Sequence, residues 1–88
     1  MHQYKLLLQV FLQERIRVCR SCCGLTQETM AARLHITPRS YAYLEQGAHG
    51  LSATTLMFFL LVLTEEEVLQ LRIDFQTLIE RENEHVVA

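Results

Sequence analysis

Apolar side chains recur at three- and four-residue steps along most of this chain, the spacing that collects them on one face of a helix. From Tyr4 to about Cys23 the positions Leu7, Leu8, Phe11, Leu12, Ile16 and Cys19 keep that step and predict a long amphipathic first helix. Thr26 is a polar N-cap candidate and Gln27 and Glu28 are good helix formers, so a second helix starts at about Gln27, with Met30, Ala31 and Leu34 on its inner face. The small Ala31 allows a neighbouring helix to approach closely. His35, Ile36 and Thr37 form a turn whose middle residue points inward, and Thr37 and Pro38 open a third helix as N-cap and first helical residue, where a missing N–H costs nothing. Tyr41 and Leu44 are its inner side, and Gly47 suits a positive-φ helix end. Ser52 caps a fourth helix, apolar all round from Leu56 to Leu63 and so in need of cover on more than one side. Thr64 to Glu67 is a capping box that starts a fifth helix, with its acids at the favourable end of the helix dipole. There Val68, Leu71, Phe75, Leu78 and Glu82 keep the helical step, Leu69, Ile73 and Ile79 widen the stripe, and the charged end from Glu80 to Glu84 is expected to fray. The pattern describes an all-α chain of five helices.

Composition narrows the class. At 88 residues, half of them apolar, the chain supports one core without metal or disulfide staples. Its longest apolar run, Leu56 to Leu63, is too short to span a bilayer, and the N-terminal stretch, with Lys5 ahead of it and Gln9 within it, leads to no small-residue cleavage pattern, so a cytoplasmic protein without a membrane segment is expected. Cys19, Cys22 and Cys23 are an odd number in one helical turn, which argues for a reducing compartment rather than a disulfide framework. Cys19 and Cys22 share a CxxC spacing, but His2, His35, His49 and His85 are scattered and supply no second ligand pair, so no metal or other cofactor is expected. No nucleophile motif surrounds Ser21, Ser40 or Ser52 and there is no phosphate-binding glycine loop, which excludes the recognisable enzyme classes. The net charge of −2 is unevenly spread. Lys5, Arg15, Arg17, Arg20, Arg33 and Arg39 against Glu14, Glu28 and Glu45 leave residues 1–50 at +3, whereas residues 51–88 carry −5. Such a division lets one face approach phosphate while the other is held away.

The segment GLTQETMAARLHITPRSYAYLEQG, residues 24–47, resembles the helix-turn-helix of the lambda-repressor/Cro-type (XRE-like) DNA-binding family. Ile16, Arg17, Cys19 and Arg20 upstream, then Leu51, Ser52, Thr55, Leu56, Phe59, Leu60 and Leu63 downstream, extend the resemblance over residues 12–64. It implies a lambda-repressor-like domain over residues 1–64 with the helix-turn-helix proper at 26–47; the apolar spacing adds an extended first helix and, over 65–88, a C-terminal amphipathic helix that packs on the domain or dimerises, so that the whole is a five-helix all-α fold. It further implies a transcriptional regulator that places helix three in the major groove of double-stranded DNA. Dimers place two such helices about 34 Å apart, one turn of the duplex, and a homodimer is expected.

On that reading Pro38, Arg39 and Tyr43 lie nearest the base edges and Gln46 ends the same face. Arg39 is the leading base reader, because a guanidinium can engage guanine O6 and N7 together, worth about 1–3 kcal/mol of discrimination; a phosphate contact or solvated side chain is its alternative. Tyr43 can meet a thymine methyl or a phosphate, or simply cover the neighbouring helix. Thr26, Gln27, Thr37 and Ser40 are short phosphate donors, beside the backbone amides at the start of helix two. The family's pairing implies an ion pair between Arg20 and Glu45 that ties helix one to the end of helix three. Four positions depart from the family: Cys19 stands where leucine is usual, His35 at a turn position where glycine is common, Pro38 at an often polar base-reading position, and the loop 46–50 offers only His49 where relatives place basic residues. Binding that tightens as His49 protonates below pH ~6.5 is one consequence. These departures keep a second reading open, an antitoxin-like or regulatory protein-interaction module on the same scaffold with a protein partner and little DNA contact.

Overall fold

The computed structural model describes the backbone of residues 2–48 and 50–87 and the side chains of 4–48 and 50–83. Within them are five helices and no strand: α1 His2–Cys22, α2 Gln27–Leu34, α3 Pro38–Glu45, α4 Ala53–Val62 and α5 Glu65–Val87. No helix among the described residues is long and apolar enough to cross a membrane.

The helix starts are written in side-chain oxygens. Thr26, Thr37 and Ser52 accept from the amides of Thr29, Ser40 and Thr55, each at 3.1 Å. Thr64 and Glu67 form the reciprocal box, Glu67 N donating to Thr64 Oγ1 at 3.1 Å and Thr64 N to Glu67 Oε1 at 2.8 Å. Each such cap satisfies a first-turn amide that the helix cannot, and is worth about 1 kcal/mol. The first three helices end alike. Leu25 N reaches Arg20 O across Gly24, Ile36 N reaches Ala31 O across His35, and Ala48 N reaches Tyr43 O across Gly47. The bridged residue is left-handed every time, with φ of 66°, 60° and 79°. Glycine adopts that conformation freely, whereas His35 does so against a Cβ clash. Its ring lies 4.1 Å from that of Phe58 on α4, a contact that offsets part of the strain.

Seven side chains form the core: Ile16 from α1, Met30, Ala31 and Leu34 from α2, Tyr41 and Leu44 from α3, and Phe59 from α4. Ala31 is wholly buried, and α2 packs on both α3 and α4. Ile36, in the turn, is half-buried against this cluster. The long first helix finds its partner in α5, which runs antiparallel to it. Tyr4 Oη donates to Asn83 Oδ1 at 2.8 Å, the Phe11 and Phe75 rings are 5.3 Å apart, and Arg15 pairs with Asp74 while its guanidinium lies 5.1 Å from the Phe11 ring. The backbone of α5 is helical to Val87, Glu80–Glu84 included; glutamate and arginine are good helix formers. On α4, Phe59 faces inward and Met57 and Leu61 face outward, 58 % and 75 % exposed.

Candidate nucleic-acid interface

The helices α2 and α3 are eight residues each, joined by His35, Ile36 and Thr37. Because Tyr41 and Leu44 are drawn into the core, the opposite edge of α3 is turned outward. Pro38, Arg39 and Ser40 are exposed there, Tyr43 is half-buried, and Thr37 and Gln46 are exposed at the two ends. At 1.5 Å per residue the edge is about 12 Å long. Arg39 Nε donates to Tyr43 Oη at 3.1 Å, one turn on, and the guanidinium carbon lies 5.7 Å from the Tyr43 ring centroid. Thr26 and Thr37 sit in their caps, with hydroxyls 3.0 Å from those of Thr29 and Ser40, so each presents a pair of hydroxyls rather than one. His49, the basic candidate of the following loop, lies outside the described residues.

Below this edge Glu45 is a hub. Arg20 Nε donates to its Oε2 at 2.6 Å and Arg20 Nη2 to its Oε1 at 3.2 Å, while Arg20 Nη1 reaches the Leu25 carbonyl at 3.1 Å. The Arg20–Glu45 pair expected from the sequence is therefore present, and in two-pronged form. Tyr41 Oη donates to Oε2 and Gln27 Nε2 to Oε1, at 2.5 and 3.1 Å. One carboxylate, 8 % exposed, thus ties the end of α1 and the first residue of α2 to the last turn of α3, and Arg20 extends the tie to the linker between α1 and α2. Burial pushes the Glu45 carboxyl up, yet the hydrogen bonds from Arg20, Tyr41 and Gln27 outweigh it and hold the group below the ordinary glutamate range. The Tyr41 hydroxyl is raised, by burial first and by donation to the Glu45 carboxylate second.

Gln27, one of the phosphate-contact candidates, gives one amide hydrogen to Glu45, which leaves the second hydrogen of that amide and the backbone amides at the start of α2 as the donors a phosphate would have to use. Sequence reasoning did not find Tyr41 or Gln27 as partners of Glu45. Tyr41 stood at a readable spacing, four residues before Glu45 on one helix face. Gln13, which donates to the Glu45 backbone oxygen at 2.7 Å from α1, left no signal in the sequence.

The cysteines all carry free thiols, Cys19 half-buried against the core and Cys22 and Cys23 exposed. Burial, then the neighbouring Cys23, pushes the Cys19 thiol up to about 11, so it is protonated at neutral pH and packs as a small apolar side chain. No three His, Cys, Asp or Glu side chains among the described residues are grouped to hold a metal ion. Neither a scan of protein-family models nor searches of curated proteins and of solved structures find a match to this chain.

Proposed function

We propose that this chain is a sequence-specific DNA-binding regulator with the lambda-repressor-like arrangement, entering the major groove with α3 and occupying an operator as a homodimer. The observation that carries the reading is the division of α3 into two sides: Tyr41 and Leu44 fully engaged in the core, and Arg39 with Tyr43 on the outward edge, anchored below by the Glu45 hub. A base reader must be held on a rigid element, and a half-turn error in helix rotation would remove it from the groove. The basic balance of residues 1–50 supports the same face, although +3 is modest. Affinity per module is accordingly low, with a shallow salt slope, and pairing of two modules supplies the remainder. Selection of bound fragments from random duplex DNA tests this at once. Enrichment of a site with two related halves about one helical turn apart is the expected result, and a pool that stays random at low ionic strength rejects the function.

A second reading is favoured by a different observation. Met57, Leu61, Leu69 and Ile73 leave apolar surface on α4 and α5 that a protein partner could cover. On this reading the chain is an antitoxin-like or regulatory module whose work lies in that contact. An unenriched pool together with a stable monomer would favour it over the first.

A further inference from the structure

The Arg39–Tyr43 contact carries an inference about specificity that rests on α3 being the helix that meets DNA. An arginine on a solvent-facing helix edge ordinarily samples many rotamers, and ordering it on a base is a large part of the cost of the contact. Here one of the five guanidinium N–H groups, that on Nε, is already given to the Tyr43 hydroxyl at 3.1 Å, and the plane is supported by the Tyr43 ring, 5.7 Å from the guanidinium carbon. The tyrosine is itself fixed: it is half-buried and directly precedes the residues that lock α3, with Leu44 buried and Glu45 in the hub. With Nε committed, the sideways fork formed by Nε and one terminal nitrogen is closed. The end-on fork of Nη1 and Nη2 remains, and its two parallel donors match the adjacent O6 and N7 acceptors of guanine.

We infer that Tyr43 is a positioning residue that fixes Arg39 in an end-on pose selective for guanine, and that its hydroxyl, rather than its ring alone, sets the strength of that selection. Adenine offers N7 beside a donor in place of O6, so a guanidinium held end-on loses one bond and meets a like donor there. A freely rotating arginine could swing to a phosphate and bind both sequences. Tyr43 therefore acts on preference between bases more than on overall affinity.

The experiment uses the full chain and a duplex enriched with the wild-type protein, together with its derivatives carrying single G·C to A·T replacements and an unselected duplex of equal length. Dissociation constants are measured for the wild type, Tyr43→Phe, Arg39→Ala and the double variant, with thermal unfolding run on each. The wild type is expected to prefer guanine at one position per half-site, and Arg39→Ala to abolish that preference. Tyr43→Phe is expected to reduce it by about three- to tenfold, the equivalent of freeing one rotamer-rich side chain, with unchanged melting and a smaller loss on the unselected duplex than on the enriched one. The double variant should match Arg39→Ala alone. Full retention of the preference in Tyr43→Phe overturns the inference and leaves the DNA-binding reading standing, as does an equal loss on every duplex, which makes the hydroxyl a phosphate contact. A wild type that enriches no duplex overturns both.

Discussion

On α2 and α3 every methionine, leucine and tyrosine is buried or half-buried, whereas on α4 and α5 Met57, Leu61, Leu69 and Ile73 are exposed. Both pairs are joined to the same core by the same helical spacing. The difference lies in what their outward sides are made of. The outer surface of α2 and α3 is polar and partly basic, already finished for water or for a polar ligand, and its local structure is fixed by two threonine caps and a buried carboxylate. That of α4 and α5 keeps large apolar side chains in water. A polar, partly basic surface and an apolar one suit different contacts, and this chain separates them.

The largest expected loss of stability lies on the inner side of α4. Phe59→Ala opens a cavity at the centre of the core and is expected to cost about 4 kcal/mol, measured by urea denaturation. Glu45→Ala comes next, at about 2 kcal/mol, because it leaves the Arg20 charge, the Tyr41 hydroxyl and the Gln27 amide without their acceptor, while Arg20 keeps some contact with water. The same hub has a pH signature. The folded-state pKa of Glu45 lies below its ordinary value of 4.5, so its contribution is complete above that pH and is lost as the pH falls through the lower, folded value. Unfolding midpoints measured from pH 6 to pH 2.5 should show this acid loss in the wild type and a reduced one in Glu45→Gln.

Smaller effects sharpen the picture at the turn. His35→Ala keeps a left-handed side chain and loses the contact with Phe58, for an expected cost of about 1 kcal/mol. His35→Gly loses the same contact but relieves the strain, and should fall within about 0.5 kcal/mol of the wild type. Because both variants lack the ring, their difference reports the backbone alone, and thermal melts that rank glycine below alanine would mean that glycine's unfolded-state freedom outweighs the relieved strain. The smallest stability effect belongs to Leu61→Glu on the outer side of α4, within about 0.5 kcal/mol for the folded chain. In sedimentation at low micromolar concentration the same change is expected to convert a dimer into a monomer. A wild type that sediments as a monomer removes that expectation and the homodimer with it.

Much of this was legible in the chain because the signals are local. Thr26, Thr37, Ser52 and the Thr64–Glu67 box mark the helix starts, and the three- and four-residue steps name Ile16, Met30, Ala31, Leu34, Tyr41 and Leu44 as inward, whereas on α4, apolar all round, they do not single out Phe59. Gly47 was readable as a left-handed end for the same reason, whereas at His35 only the family resemblance, with glycine common there, points to that conformation. What was not legible is how helices lie against one another. The apolar stripe of α5 fits α4 as well as α1, and only the contacts of Tyr4, Phe11 and Arg15 with Asn83, Phe75 and Asp74 decide for α1. For the candidate interface, spacing identified which residues of α3 face outward but not that Arg39 is held by Tyr43, nor that Gln27 turns toward Glu45, since side-chain rotamers are chosen by neighbours that the pattern does not name.

The central claim, that the outward edge of α3 is the surface that meets a duplex, is tested most directly by titrating enriched duplex DNA into isotope-labelled protein and following the backbone amide resonances. The largest shifts are expected at Thr26 and Gln27 and from Thr37 to Gln46, with Met57, Leu61, Leu69 and Ile73 little changed beyond any effect of dimerisation. Shifts centred on the outer sides of α4 and α5, with α3 silent, would contradict it.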